Sequence, residues 1–253
     1  MNSYNRLNNL VGWAVFLFAA VVYYFSAEPT GSLWDCGEFA SCADKLQVPH
    51  PPGAPLFLLI GRLFMWVGSL ISSDPAFKTH MLNFSSGVYS ALAAMFVCWI
   101  TIILGKIALV GRTNEPSKSE FIALAGAGAV AGLTTAFCTS IWFSAVEGEV
   151  YAMSTFFTAF TFWAMIKWYN QPDTPQADRW MLLSVYAAGL SIGVHLLSLL
   201  TFPALALFYY FKKKEQPTLL GMFLYGLGGV LLIMLIQLIV ITGIPAVWGS
   251  LEV

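Results

Sequence analysis

The chain has 253 residues, of which 58% are hydrophobic and only 10% are charged, and its formal net charge is −1. Soluble domains carry roughly 25% charged residues, so this chain has too few to cover a globular surface, and lipid must be the solvent for much of it. The near-neutral charge excludes the basic surface that is typical of nucleic-acid-binding proteins. We therefore expect an all-α, polytopic membrane protein with no nucleic acid among its partners.

Long apolar stretches predict about seven transmembrane segments in one domain, 1–253. A helix needs about 20 mostly apolar residues to cross a bilayer. The first stretch ends in bulky residues rather than in a small-residue cleavage site, so we expect it to stay uncleaved. In chain order the predicted spans lie at 10–26, 81–104, 121–143, 150–168, 180–211 (two short helices that go out and back) and 218–242.

The distribution of lysine and arginine predicts the orientation of the chain. With the N-terminus in the cytoplasm, nine of the twelve lie inside. This assignment requires the helix at 55–71 to lie along the interface, and 180–211 to turn near His195. Such a turn at membrane depth is tolerated only beside protein or a watery cavity, so we expect a cavity there. The inner set is Arg6, Lys106, Arg112, Lys118, Lys167, Arg179, Lys212, Lys213 and Lys214, and the outer set is Lys45, Arg62 and Lys78.

The first predicted outer loop, 27–78, contains juxtamembrane helices and an unusual density of polar groups. Asp35 and Glu38 are spaced i, i+3, so on a helix they share a face. Their mutual repulsion should raise one of the two pKa values, which suits a general base or a metal ligand. The same spacing also fits helix N-capping, and both interpretations stay open at this stage.

Three further polar side chains have two interpretations each. His50 precedes Pro51-Pro52-Gly53, a rigid turn that either positions an imidazole for a phosphate or hydroxyl or is an ordinary loop. Arg62 lies in an apolar run, where it either snorkels or meets a lipid phosphate. His195 near the predicted turn is either a functional group or a satisfied core histidine.

A second short turn on the predicted outer side carries Glu147, Glu149 and, just after them, Tyr151. These residues either mark a solvated loop or contribute to binding. The four cysteines have no metal-binding spacing, and we expect no disulfide between Cys36 and Cys42.

Four motifs in order resemble a known family. They are WDCGEF at 34–39, HPPGAPLF at 50–57, EGEVYAMSTFF at 147–157 and GVHLL at 193–197. Together they resemble a bacterial membrane family that is similar to the eukaryotic transmembrane protein O-mannosyltransferases, glycosyltransferases of the GT-C superfamily. The resemblance covers roughly 8–250. Members are typically far longer, so the chain resembles their N-terminal part.

The resemblance implies an inverting, GT-C-like glycosyltransferase in the bacterial inner membrane, with its active-site loop in the periplasm. The donor would be a polyprenyl-phosphate-linked sugar drawn from the membrane lipid, and the acceptor a hydroxyl of a protein or glycan. By position Asp35 would be the general base, and Glu38 would orient acceptor or sugar. A divalent cation at these two carboxylates stays open; no other cofactor is expected. The predicted substrate-binding residues are His50, Arg62 and Lys45 for the phosphate, with Glu147, Glu149, Tyr151 and His195.

Two other classes remain as alternatives. A transporter would use His195 and Arg62 along a substrate path, but the chain shows no inverted repeat and its polar residues cluster on one side. A scaffold subunit would use the carboxylates of the loop only to cap helices. The substitution Asp35→Asn separates these classes, because only an enzyme should lose its activity while remaining folded.

Overall fold

The computed structural model describes residues 3–251, and within them it contains helices and connecting loops but no β-strand. The prediction of an all-α protein is confirmed. The helices are α1 (Ser3–Ser26), α2 (Cys36–Lys45), α3 (Pro55–Ile71), α4 (Pro75–Leu109), α5 (Lys118–Phe137), α6 (Thr139–Val146), α7 (Val150–Asn170), α8 (Pro175–Ser191), α9 (Phe202–Lys213), α10 (Leu219–Leu235) and α11 (Ile244–Leu251), with a 3₁₀ segment at Leu196–Thr201 and a π-helical segment at Ile236–Gly243.

Four helices of the described part are long and apolar enough to cross a membrane: Tyr4–Ser26, Pro75–Leu109, Lys118–Phe137 and Leu219–Leu251. The chain is therefore a multi-pass membrane protein. The last of these is longer than the span predicted at 218–242. The total of about seven spans and the interfacial position of α3 stay predictions.

The central helix is α4, which packs against α1, α3, α5, α6 and α7. Its 35 residues extend roughly 52 Å, well beyond the ~30 Å hydrocarbon core of a bilayer. Small residues let α5 approach it closely. A Cβ on Gly132 would lie only 2.9 Å from the Ala94 carbonyl oxygen, and one on Gly128 would lie 3.0 Å from that of Cys98.

The predicted span at 121–143 is wrong in one respect, because it is broken into α5 and α6 at Cys138. The backbone of Cys138 is extended, with φ −71° and ψ 146°. An unbroken helix would pair the Ala136 carbonyl with the Ser140 amide. Instead the buried Tyr23 hydroxyl of α1 donates to that carbonyl at 2.5 Å. The Ala136 carbonyl therefore keeps a hydrogen-bond partner at the break, and α6 turns toward the end of α1.

The stretch 180–211 goes out and back, as the charge distribution predicts. Helix α8 ends at Ser191, a short turn contains His195, and α9 returns beside the start of α8. The return is fixed by an ion pair between Lys213 and Asp173. The His195 turn lies near the start of α7, because its ring contacts that of Tyr151 at a centroid distance of 5.2 Å.

The two ends of the bundle differ in charge. One end is here named the cationic end. There the Arg112 guanidinium lies 4.2 Å from the Tyr169 ring centroid, and the Lys212 ammonium donates to the Trp168 carbonyl. The opposite end, here named the site end, contains the loop after α1, α2, the start of α3 and the His195 turn. The predicted inner and outer cations are thus separated along the bundle.

Candidate active site

The loop between α1 and α2 is held by one buried side chain of α4. The Asn83 amide donates to the carbonyls of Glu28 at 2.7 Å and Thr30 at 2.9 Å. Gly148, in the turn before α7, packs against Asn83 and has no room for a side chain, since a Cβ would lie 2.8 Å from the amide oxygen. The loop ends at Trp34, whose φ of 65° is left-handed and whose side chain is 92% exposed. Asn83 therefore fixes the approach to α2.

Asp35 occupies the N-cap position of α2, but its carboxylate makes no capping hydrogen bond. The Glu38 carboxylate is also directed away from the cap, because it binds His50. The N-capping interpretation of this pair is therefore wrong. Asp35 is left with a half-exposed carboxylate at the meeting point of the two cavities described below.

The Glu38 carboxylate binds His50 through both of its oxygens. One carboxylate oxygen accepts from the His50 backbone amide at 2.7 Å, and the other contacts ring Nδ1 at 2.8 Å. This directs Nε2 toward Asp35, whose Oδ2 lies 4.0 Å away. The hydrogen bonds from His50 lower the pKa of Glu38, and the hydrogen bond to Glu38 raises the pKa of His50. The predicted rise in pKa is therefore wrong for Glu38, because its carboxylate accepts hydrogen bonds from the His50 side chain and backbone.

The turn after His50 brings the imidazole back over α2. The peptide between Pro51 and Pro52 is cis, and Gly53 has a φ of 82°, a conformation that glycine adopts without strain. The Gly53 amide donates to the His50 carbonyl at 3.0 Å. The ring of His50 lies 6.0 Å from that of buried Phe39. The rigid turn predicted from the sequence thus holds the imidazole beside the two carboxylates.

The start of α7 brings two more acids to the same place. The Cys36 thiol lies 3.1 Å from Glu149 Oε1 and 3.7 Å from Glu147 Oε2. Both Cys36 and Glu149 are buried. Burial is the main cause that raises the pKa of Glu149 above its usual value and that of the Cys36 thiol to about 12. The described cysteines are all free.

Two cavities meet at this point. The larger has a volume of about 630 Å³ and the smaller about 70 Å³, and Asp35, Glu149 and Tyr151 line both. No lysine or arginine lines either one. The larger is also lined by Glu28, Ser32, Leu33, Trp34, Phe143, Ser144 and Glu147, and the smaller by His50, Val150, Val194, His195 and the 52–54 turn.

His195 closes the smaller cavity from the side of the α8–α9 turn, so the cavity expected near it is confirmed. Its Nδ1 accepts a hydrogen bond from the Leu197 amide at 3.2 Å, which places the proton of the neutral ring on Nε2. The Leu56 amide donates to the Gly193 carbonyl at 2.8 Å and docks the start of α3 on this turn. Three stretches that are distant in sequence, 50–54, 143–151 and 193–195, therefore converge on Asp35.

The structure does not bring Arg62 or Lys45 to Asp35. The Arg62 guanidinium binds Asp44 Oδ1 at 2.7 Å at the other end of α2. Lys78 joins the same carboxylate at 3.6 Å. Lys45 is the exposed last residue of α2. None of these residues lines either cavity.

The sequence analysis missed four residues of this region. Trp34 and Glu28 line the larger cavity, Asp44 neutralises Arg62, and Asn83 holds the loop. For Trp34 a signal existed, since it precedes Asp35 in the WDCGEF motif. Nothing in the sequence connects the other three to the site, because each acts through a contact with a distant segment.

Asp35, Glu38 and His50 form the group in the described part of the chain that could hold a metal ion. One ligand atom from each lies within 4.8 Å of the others. Carboxylate oxygens and an imidazole nitrogen suit several divalent cations. The divalent cation therefore stays a prediction.

Comparison with known proteins identifies the family. The model of the Protein O-mannosyl-transferase TMEM260 N-terminal domain matches residues 35–219, a range that begins at Asp35 and includes His195. The chain belongs to this family. The resemblance inferred from the four motifs is thereby confirmed.

Two curated TMEM260 relatives illustrate the similarity. Protein O-mannosyl-transferase tmem260 of Dictyostelium discoideum is 24% identical over 166 residues, which are 66% of this chain and 18% of the relative. Protein O-mannosyl-transferase TMEM260 of Mus musculus is 24% identical over 207 residues, 80% of this chain and 26% of the relative. The chain thus spans about a fifth to a quarter of the length of these relatives. No solved structure matches it significantly.

Proposed function

We propose that the chain is the membrane-embedded catalytic part of an inverting, GT-C-like glycosyltransferase. It would move a sugar from a polyprenyl-phosphate-linked donor to a hydroxyl of a protein or glycan acceptor. The names of the TMEM260 relatives support transfer of mannose to a protein. The observation that carries the proposal is the position of Asp35, whose carboxylate is free of capping bonds and borders both cavities.

Asp35 is the proposed general base. It takes the proton from the acceptor hydroxyl as the oxygen attacks the anomeric carbon and the bond from sugar to phosphate breaks. A general base must lie within hydrogen-bond reach of that proton, and the larger cavity gives an acceptor access to the carboxylate. Attack in a single displacement inverts the configuration of the anomeric carbon.

The charges around the cavities suggest where the substrates lie. Four carboxylates line the larger cavity and no lysine or arginine does, so a phosphate would be repelled there and the acceptor is its proposed occupant. The phosphate gains negative charge as the bond breaks and needs hydrogen-bond donors. His50 and His195, which border the smaller cavity, are the proposed donors. We assign Glu38 the task of orienting His50.

We propose an orientation of the chain that is supported by the charges at its two ends. The positive-inside rule places the cationic end in the cytoplasm and the site end outside, which in a bacterial inner membrane is the periplasm. The lipid tail of the donor would then stay in the bilayer while its sugar reaches the site.

The proposal is tested by intact-mass spectrometry of exported glycoproteins from cells that carry the full-length protein. We would compare the wild type, a deletion, Asp35→Asn and, as a matched control, Asp173→Asn at the cationic end. We expect one glycan to be missing in the deletion and in Asp35→Asn but present in Asp173→Asn, at equal protein levels. A glycan retained in Asp35→Asn would refute the proposed base and favour a scaffold.

A further inference from the structure

Cys36 and Glu149 form a buried contact that the proposed chemistry does not use. Cys36 is the first residue of α2 and directly follows Asp35, and Glu149 is the residue before α7. The thiol donates to Glu149 Oε1 at 3.1 Å across 113 residues of sequence. Their exposures are only 1% and 8%. The contact ties the start of the helix that carries Asp35 to the start of α7.

A carboxylate that is removed from water needs hydrogen bonds to offset the lost solvation. Glu149 is the N-cap residue of α7 but its side chain makes no capping hydrogen bond there, and hydrogen bonds with the Cys36 thiol and the Val150 backbone oppose the effect of burial on its pKa. Its carboxylate is directed at Cys36 instead. The turn that presents it is also fixed, since the Glu149 amide donates to the Glu147 carbonyl at 2.8 Å and Gly148 is packed against Asn83.

We propose that Glu149 is a positioning residue, which acts through the Cys36 thiol to fix Asp35 where the two cavities meet. The inference rests on the proposed function, since it assigns Asp35 as the base. It also changes the role expected of Glu149, which the sequence analysis placed among the substrate-binding residues. It accounts for the presence of the WDCGEF and EGEVYA motifs in one chain, since each supplies one partner of the contact.

The competing explanation is direct contact between Glu149 and substrate, because Glu149 also lines both cavities. The two explanations differ in how substitutions combine. If Glu149 acts only through Cys36, the double substitution should lower kcat no more than the more damaging of the two single substitutions. Residues that act as a unit are non-additive in this way, whereas independent contacts add.

The kinetic test uses Cys36→Ala, Cys36→Ser, Glu149→Ala and the Cys36→Ala/Glu149→Ala double variant of the full-length protein. The assay is mannosyl transfer from a synthetic polyprenyl phosphate donor to a threonine peptide. A displaced base lowers kcat about ten- to hundredfold, so we expect that loss in both alanine variants with KM unchanged. Cys36→Ser retains a donor and should restore most of kcat, and the double variant should be no slower than the slower single one.

Cys42→Ser is the matched control, because Cys42 is also a buried free cysteine of α2 but has no contact with Glu149. It should leave kcat unchanged. A raised KM in Glu149→Ala, with a further loss in the double variant, would overturn the inference in favour of direct substrate contact. If Glu149→Ala does not fold, the variants Cys36→Ala and Cys36→Ser still test the inference. Equal kcat in Cys36→Ala and the wild type would overturn it.

Hydrogen exchange measured by mass spectrometry separates this inference from the proposed function. The Phe39 amide donates to the Asp35 carbonyl at 2.8 Å, and it should exchange about tenfold faster in Cys36→Ala and Glu149→Ala, but not in Cys36→Ser. That result would hold even if the wild type transferred no sugar, in which case only the proposed function fails. Unchanged exchange in both alanine variants would refute the contact as a positioning device.

Discussion

The two ends of α2 carry similar residues in different arrangements. At the C-terminal end, Asp44 is neutralised by Arg62 at 2.7 Å and by Lys78 at 3.6 Å. At the N-terminal end, the one ion-pair contact of Asp35 among the described residues is with the His50 ring, at 4.0 Å. The first carboxylate is thus bound by two cations through Oδ1. The second keeps its oxygens free for a ligand.

Burial does not account for this difference. The side chain of Asp44 is 38% exposed and that of Asp35 is 52% exposed. What differs is the surroundings, because only Asp35 borders the cavities at the start of α7. A carboxylate in a membrane protein therefore suggests chemistry only when its partners leave it available, and this can be read from the contacts but not from the residue type.

The largest effect is expected for Asp35→Asn. General bases contribute about 10²- to 10⁴-fold to rates, so transfer should fall by about that factor. The melting temperature should stay near that of the wild type, since the Asp35 side chain makes no capping hydrogen bond. Transfer kinetics and differential scanning fluorimetry on the same preparation check both parts. A large fall in stability together with the loss of transfer would instead assign Asp35 a structural role.

A smaller loss of transfer is expected for His50→Ala. Removal of one well-placed donor to a developing charge costs about a hundredfold in kcat. Because Glu38 holds His50 in place, Glu38→Gln should reduce transfer in the same direction but less, since an amide oxygen can still accept the backbone hydrogen bond. Steady-state kinetics of the two variants check the order. Transfer by His50→Ala at the wild-type rate would contradict the role of His50 as a hydrogen-bond donor to the phosphate.

The pair formed by His50 and Glu38 predicts a pH dependence of stability. The pKa of His50 is raised above its usual value of 6.5. Its contribution to the free energy of unfolding is therefore complete below pH 6.5 and is lost as the pH rises through the folded pKa. The pKa of Glu38 is lowered, so its contribution is lost as the pH falls through that pKa. Melting temperatures of wild type and His50→Gln should therefore converge as the pH rises through the folded pKa of His50. A difference that grows with pH would contradict this sign.

The smallest effect is expected at the C-terminal end of α2. Arg62 is 40% exposed in its pair with Asp44, and exposed ion pairs contribute about 0.2–1 kcal/mol. Arg62→Gln should lower the melting temperature slightly and leave transfer within about twofold of the wild type. The same two assays check this. A loss of transfer at unchanged stability would place Arg62 on the donor phosphate, as the sequence alone suggested.

Features set by neighbours in the sequence were predictable. The order Asp74-Pro75 indicates the start of a helix, and the Asp74 carboxylate accepts from the Ala76 amide at 2.9 Å. Ser117 and Glu120 have the spacing of a capping box, and they form one. The out-and-back path near His195 followed from charge distribution alone. These succeed because capping acts over three residues and topology depends on where the cations lie.

Features set by distant partners were not predictable. The sequence shows Arg62 as a lone charge in an apolar helix, because its partner Asp44 lies on another helix. The break at Cys138 depends on Tyr23 of α1, which takes the Ala136 carbonyl. The structure places Asp35 and Glu38 on either side of His50, and only its hydrogen bonds show that neither carboxylate caps α2.

The most direct test of the central claim compares Asp35→Asn with Asp44→Asn in one purified transfer assay. The two substitutions remove the same charge from the two ends of the same helix. We predict that Asp35→Asn loses transfer by about 10²-fold or more, whereas Asp44→Asn transfers at nearly the wild-type rate with a slightly lower melting temperature. Equal transfer by the two variants, or a greater loss in Asp44→Asn, would contradict the assignment of Asp35 as the base.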